Sequence, residues 1–303
     1  MTAVTAVGRD IGSGPRRARA VRALARVESR RMLRNPVLWV GAVLTTRVTW
    51  STSPDPDEWV GASYEEAIVA VVPFLFAASV VSAVSFHRER LDVAGAAPTG
   101  ELQRFLARLL AALPLIVISI GISAFIAWRQ RHIGGLTLGV EPGRTSEALF
   151  TAGELAQPVA LTVLAIAFGA AVGRRMAHLV TVVPILFVVW LATSVYWFFS
   201  DRRVTPFSIV QVQPVRLHAG PSTADPLSFP STWLLDSPHE FSDQWSRVFV
   251  SGGLAWGHAV WLLGLSLLWF MVALPRGQAR RRLLVTGVAL AVLGVAAQYV
   301  VLR

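Results

Sequence analysis

Long apolar runs alternate with short polar breaks along the whole chain. The runs fall near residues 36–52, 65–86, 105–127, 157–173, 178–199, 254–274 and 283–302. Most approach the ~20 apolar residues that a helix needs to cross a bilayer core about 30 Å thick. The pattern predicts an all-α fold, a polytopic transmembrane helical bundle with seven spans, or six if the final run stays out of the bilayer.

The breaks give the bundle a direction. The short connectors at 87–104, 173–177 and 275–282 are basic, whereas the longer ones are mixed or acidic. Basic connectors stay in the cytoplasm. The expectation is a multi-pass protein of the cell membrane with its N-terminus cytoplasmic, its C-terminus outside and a long extracytoplasmic segment at 200–250. The N-terminal basic region runs too far before the first apolar block to read as a cleaved signal peptide, so that block is expected to remain as a span.

Composition agrees and narrows the chemistry. Of 303 residues, 54% are hydrophobic and 15% charged, and the mean hydropathy is +0.55. The net charge of +10 follows the sidedness of the connectors, so nucleic acid is not the expected partner; membrane lipid is. There is no cysteine, hence no disulfide or thiolate metal site. There is also no lysine, which excludes a conventional P-loop. No metalloprotease, serine-elbow or paired-carboxylate pattern is present, and no cofactor is expected. The chain reads as non-catalytic by itself, and any ATP-driven work needs a motor on another chain.

Residues 1–15 read as a flexible tail and 36–302 as the transmembrane domain. Between them, residues 16–34 (RRARAVRALARVESRRMLR) favour helix. Arg19, Arg22, Arg26 and Arg30 share one face and Val21, Leu24 and Met32 the other, with Glu28 and Arg31 interrupting the apolar stripe. One reading is an amphipathic helix at the cytoplasmic interface; the other is a basic tail that only sets topology. Asn35-Pro36 then turns the chain into the first span, with Pro36 in its first turn. That span carries Arg47, which either snorkels to the outer headgroups or faces a translocation path.

Further on, Glu65 and Glu66 mark a solvated helix start or an outer gate, and Pro73 is expected to kink the second span. Thr99 is a candidate cap, His178 a turn or headgroup-level residue. Pro114, Pro158 and Pro184 mark irregular points. The outer segment at 200–250 is broken by prolines, with a short strand expected in FSIVQVQPVRL and interfacial helices in STWLLDSPHEFSDQW. Its His218, Asp236, His239, Glu240 and Asp243 match no strong metal-ligand spacing. Trp256 and Trp261 suit the outer interface and Trp269 the inner one.

The stretch VESRRMLRNP, with Glu28, Arg30, Arg31, Arg34, Asn35 and Pro36, resembles the opening of ABC-2 type transporter permeases, the membrane half of ATP-binding-cassette exporters. These begin with a basic elbow helix and an Arg-Asn-Pro or Arg-Ser-Pro turn. Glu89-Arg90 and Pro98 match the Glu-Arg pair and later proline of the family's connector after span two, which touches the partner ATPase. Leu91-Asp92-Val93 stands where the family usually has Gly-Thr-Leu, and a seventh candidate span follows the usual six, so the resemblance is to a divergent member. It implies a permease subunit of an exporter for a hydrophobic or amphipathic substrate. The implied partners are a cytoplasmic ATP-binding subunit and a second permease subunit, the same or related. It also implies ATPase coupling through Glu89, Arg90 and Pro98, and an interfacial elbow built on Arg19, Arg22, Arg26, Arg30, Asn35 and Pro36. The alternative is a non-transporting membrane scaffold or sensor with a permease-like body.

Overall fold

The computed structural model describes residues 15–53, 69–91, 100–136, 148–195, 207–209, 216–221, 234–235, 246–275 and 277–301. Among them the chain forms helices α1 (Pro15–Leu33), α2 (Pro36–Ser51), α3 (Val72–Leu91), α4 (Glu101–Ala111), α5 (Leu113–His132), α6 (Ala152–Arg175) and α7 (Leu179–Val195). Strands β1 (Arg216–Pro221), β2 (Leu234–Leu235) and β3 (Ser246–Val250) follow, then α8 (Gly252–Ala273) and α9 (Gln278–Val301). Four stretches are long and apolar enough to cross a membrane: residues 101–132, α6, α8 and α9. Two shorter apolar helices lie within α3 and α7. The protein is a helical membrane protein.

Its centre is α6, most of whose residues are buried. A full capping box starts it: Thr151 Oγ1 accepts from Glu154 N–H at 3.3 Å and the Glu154 carboxylate accepts from Thr151 N–H at 2.7 Å. Helices α3, α5 and α8 pack on α6, α2 packs on α3, and α9 packs on α8. Small residues set these contacts, because in lipid the attraction between helices comes from close packing rather than from exclusion of water. Gly169 and Gly173 of α6, one turn apart, lie against the backbone of Ser79 and Ala83 of α3. Gly257 and Gly264 of α8 face Gly287, Ala291, Gly294 and Gln298 of α9. The glycines in each helix of this second pair recur after seven residues, the repeat that keeps one seam facing a partner at a shallow left-handed crossing. Outward faces remain apolar: Val40, Val43 and Leu44 on α2, Val180 and Val188 on α7, Val285 and Val292 on α9.

Several expectations change here. The irregularity expected at Pro73 is a break: Val69 is helical, Ala70 and Val71 form a turn, and α3 restarts at Val72 with the proline in its first turn, where no intrahelical N–H is needed. The neighbouring N–H of Phe74 is accepted by Thr45 Oγ1 of α2 at 3.2 Å. The run expected to form one span from 105 to 127 is two helices that meet at Ala112, with Pro114 in the first turn of α5. Gly100, not Thr99, is the N-cap of α4, and its N–H donates to Gln103 Oε1 at 3.2 Å. α5 ends at His132 and is followed by Gly134 and Gly135, both with positive φ, and Gly135 N–H reaches back to the Gln130 carbonyl at 2.8 Å.

The outer segment also differs. Its strand lies at 216–221, at the far end of the expected stretch. Leu234 and Leu235, expected within an interfacial helix, instead form a strand, and β3 runs between β1 and β2 in an antiparallel sheet of order β1-β3-β2. The bundle is therefore all-helical while the long connector adds a small sheet. His178 is exposed in the turn between α6 and α7, where its carbonyl accepts from Thr181 Oγ1 at 2.8 Å. Residues 1–14, Glu65, Glu66, Pro98, Thr99, Asp236, His239, Glu240 and Asp243 lie outside the described residues.

Candidate functional site

One end of the bundle gathers the arginine-rich elements: α1, the start of α2, the end of α3, α4, and the short turns α6–α7 and α8–α9. Helix α1 displays Arg19, Arg22, Arg26 and Arg30 to the exterior and buries Ala25, Glu28 and Met32. It packs against α4. The two faces follow from the three- and four-residue spacing of each set on a helix.

Glu28 belongs to the buried face. It is 2% exposed and sits between two elements: Arg31 Nη1 donates to its Oε1 at 2.7 Å, and Ser85 Oγ of α3 donates to its Oε2 at 3.2 Å. Arg108 of α4, also 2% exposed, donates through Nε to the backbone carbonyl of the same Ser85 at 3.0 Å. One serine thus collects a buried carboxylate from α1 and a buried guanidinium from α4. Charges leave water only where they are paired and hydrogen-bonded.

The end of α6 is a second node. Arg174 forms an ion pair with Glu101 in the first turn of α4. Arg175 donates to the Val272 carbonyl at the end of α8, at 2.9 and 3.3 Å. His87 of α3 lies 3.2 Å from the Gly173 carbonyl through Nδ1, so Nδ1 carries the proton. The short amphipathic α4 is therefore fixed to α1 by packing, to α3 by Arg108 and to α6 by Arg174. A displacement of α4 would be felt by all three.

The sequence-derived residues fall around these nodes. Asn35 adopts an extended conformation and caps α2, its Oδ1 accepting from Val37 N–H at 3.0 Å, and Pro36 is the first residue of that helix. Glu89 and Arg90 lie in the last turn of α3, which continues to Leu91. Arg47 is exposed on α2, on the same outward face as Val40, Val43 and Leu44. It sits one turn below an aromatic cluster in which Trp50 stacks on Phe125 and Trp128 at 6.4 and 6.1 Å, with the Arg129 guanidinium 4.9 Å from the Trp50 ring. Tryptophans of this kind occupy membrane–water interfaces, so Arg47 has a short reach to that level.

The opposite half of the bundle holds a polar cluster that the sequence reading missed. His258 of α8 is buried, with Nδ1 2.9 Å from Gln157 Oε1 of α6 and Nε2 2.9 Å from the Ser208 carbonyl. Trp261 Nε1 donates to the same carbonyl at 3.2 Å, and Gln157 Nε2 donates to Ala255 O at 2.6 Å. These contacts hold residues 207–209 of the long connector against α6 and α8. Trp269, expected at a headgroup level, instead packs edge-on against Phe168 at 4.9 Å. Together with Trp190 and Ile209 these rings line an apolar crevice of about 50 Å³ between α6, α7 and α8. No protein-family model matches the chain, and no curated protein shows significant similarity to it.

Proposed function

We propose that the chain is the membrane-spanning permease subunit of an ATP-driven exporter of the ABC-2 type, working with a separate cytoplasmic ATP-binding subunit. The reading rests on the sequence resemblance at VESRRMLRNP. One structural observation supports it most directly: an elbow helix and a second short amphipathic helix, α1 and α4, pack together at the arginine-rich end and are bonded to membrane helices α3 and α6. A force applied by a partner at the 87–104 connector would reach the bundle through these bonds. Such coupling needs an element whose position both sites bias, and α4 is placed for that role.

The absence of lysine puts hydrolysis on the partner chain. The apolar crevice is far smaller than the several hundred Å³ of a typical small-molecule site. A path for a hydrophobic or amphipathic substrate is therefore assigned to the junction between two permease subunits. In this reading Glu89, Arg90 and Pro98 contact the ATPase. The scaffold or sensor alternative keeps the same body and lacks the motor.

The decisive experiment is affinity purification of the tagged chain from its native membranes in a mild detergent. An ATP-binding protein with Walker motifs should co-purify in near-stoichiometric yield, and E89Q/R90Q should reduce that yield or abolish stimulation of ATP hydrolysis. Purification with no such protein would leave the scaffold reading standing. Orientation is tested separately. We propose seven spans with the N-terminus in the cytoplasm, so a single cysteine introduced at Val301 should react with impermeant reagents from outside. Labelling only from the cytoplasm would reject the seventh span.

A further inference from the structure

The elbow between α1 and α2 does more than turn the chain. It leaves an open notch of about 590 Å³ lined by Arg31, Arg34, Asn35, Pro36 and Arg88. Three guanidiniums from two separate elements, the elbow and the end of α3, converge on it. Arg31 already serves the buried Glu28. Among the described residues Arg34 and Arg88 carry no ion pair, and both are exposed. Asn35 uses its Oδ1 on the backbone of α2, which leaves its amide N–H groups directed elsewhere. The first turn of α2 adds the partial positive charge of a helix N-terminus. The charged groups lining the notch are all guanidiniums, and among the described residues the one carboxylate hydrogen-bonded to a lining residue is that of Glu28.

We propose that this notch binds the phosphate of an anionic membrane phospholipid. Guanidinium forks match a phosphate diester in geometry as well as charge. A lipid is favoured over a soluble phosphate by what lies beside the notch. Pro36 leads directly into the exposed apolar face formed by Val37, Val40 and Leu44, one turn after another on α2. Trp39, half exposed, is held at the same level by its Nε1 bond to the Leu33 carbonyl at 2.6 Å. A headgroup seated among Arg34, Arg88 and Asn35 would therefore have an apolar wall for its acyl chain, in a membrane protein whose surroundings are lipid. Bound there, it would bridge Arg34 to Arg88 of α3, beside the link that the Glu28 carboxylate already makes between Arg31 and Ser85. The assignment depends on the protein's residence in a bilayer and is independent of whether it transports anything.

The test uses the full chain, purified in a neutral detergent and stripped of lipid, titrated with phosphatidylglycerol or phosphatidylcholine and read by native mass spectrometry and by thermal stability. The wild-type chain should prefer phosphatidylglycerol by roughly ten-fold or more, since each arginine at an anionic headgroup contributes a several-fold gain. R34Q/R88Q should lose most of that preference, and R34K/R88K should fall between the two because the charge remains without the fork. R281Q/R282Q, an equal loss of charge at the start of α9, should retain it. Equal binding of both lipids by the wild-type chain, or unchanged binding by R34Q/R88Q, overturns the proposal. So does an equal loss in R281Q/R282Q, which would reduce the effect to unspecific attraction. Inorganic phosphate at millimolar concentration should give no comparable stabilisation; if it does, the ligand is a soluble anion and the lipid assignment fails. Should R34Q/R88Q not fold, the wild-type lipid preference and the lysine variant still decide.

Discussion

A Glu28→Ala chain should be about 1–3 kcal/mol less stable than the wild type, the usual cost of leaving a buried polar group without its partner. The substitution removes the acceptor for Arg31 and for Ser85 Oγ, while Arg108 keeps its bond to the Ser85 carbonyl. Arg108→Ala should cost a similar amount for the mirrored reason. Because both side chains bond Ser85, the double variant should depart from the sum of the singles by about 0.5–3 kcal/mol. Glu28→Gln should be milder than alanine, since an amide can still accept from Ser85. The measurement is reversible unfolding in mixed micelles for the two single variants and the double. Single variants within about 0.5 kcal/mol of wild type, the range of ordinary surface changes, would remove the network from any structural role. In the transporter reading the same variants should loosen α1 and α4 from α3 before they disturb α6, α8 and α9, because the bonds lost between helices all end on Ser85.

The reasons that this network was illegible in the sequence are physical. Periodicity reports which residues share a face of one helix, and on that criterion Glu28 was a blemish in the apolar stripe of α1. Its partner Ser85 is 57 residues away, and nothing local in the sequence announces the pair. The burial of Arg108 has no local signal either, since a lone arginine near the start of an apolar run ordinarily snorkels to the headgroups. The long apolar helices were legible because length and apolarity are local properties. So were the capped turn at Asn35-Pro36 and the exposed arginine face of α1, which depend on neighbours within a turn. Boundaries were less so: Pro73 was expected to kink a span and Pro114 to mark an irregular point, and each lies in a first turn directly after a break in the helix, at 70–71 and at Ala112. His258 was overlooked because a single histidine in an apolar run carries no motif. The signal was its company, a glutamine in another span and a connector that had to be held down. The seven-residue glycine spacing in α8 and α9 stands in the sequence, but which helices it joins is shown only by the structure.

The other large effect is expected at the contact between α3 and α6. A Cβ on Gly169 would land on the Ser79 carbonyl, and one on Gly173 on the Ala83 carbonyl. Both obstacles are backbone, so no side-chain rotation relieves them, and the helices must separate. Overpacking that side chains can absorb costs about 1–3 kcal/mol. Gly169→Val and Gly173→Val should each reach or exceed the top of that range, and more if the separation spreads. Gly121→Ala is the matched control: nothing lies within 4 Å of its Cβ position on α5, and alanine is the better helix former by up to about 1 kcal/mol. It should therefore be neutral or slightly stabilising under the same unfolding assay. If Gly169→Val behaved like Gly121→Ala, the close approach of α3 to α6 would be wrong. The consequences of separation run in both directions along the bundle. Toward the middle, Trp190 Nε1 donates to Ser79 Oγ at 2.8 Å, so moving Ser79 also loosens α7. Toward the arginine-rich end, His87 loses the Gly173 carbonyl, and the Arg174 pair with Glu101 shifts with the end of α6. A glycine variant that folds should thus change the position of α4 without touching any residue on it. In the transporter reading such a variant should still bind the ATPase while responding less to ATP. That outcome would separate a defect in force transmission from one in docking at Glu89 and Arg90.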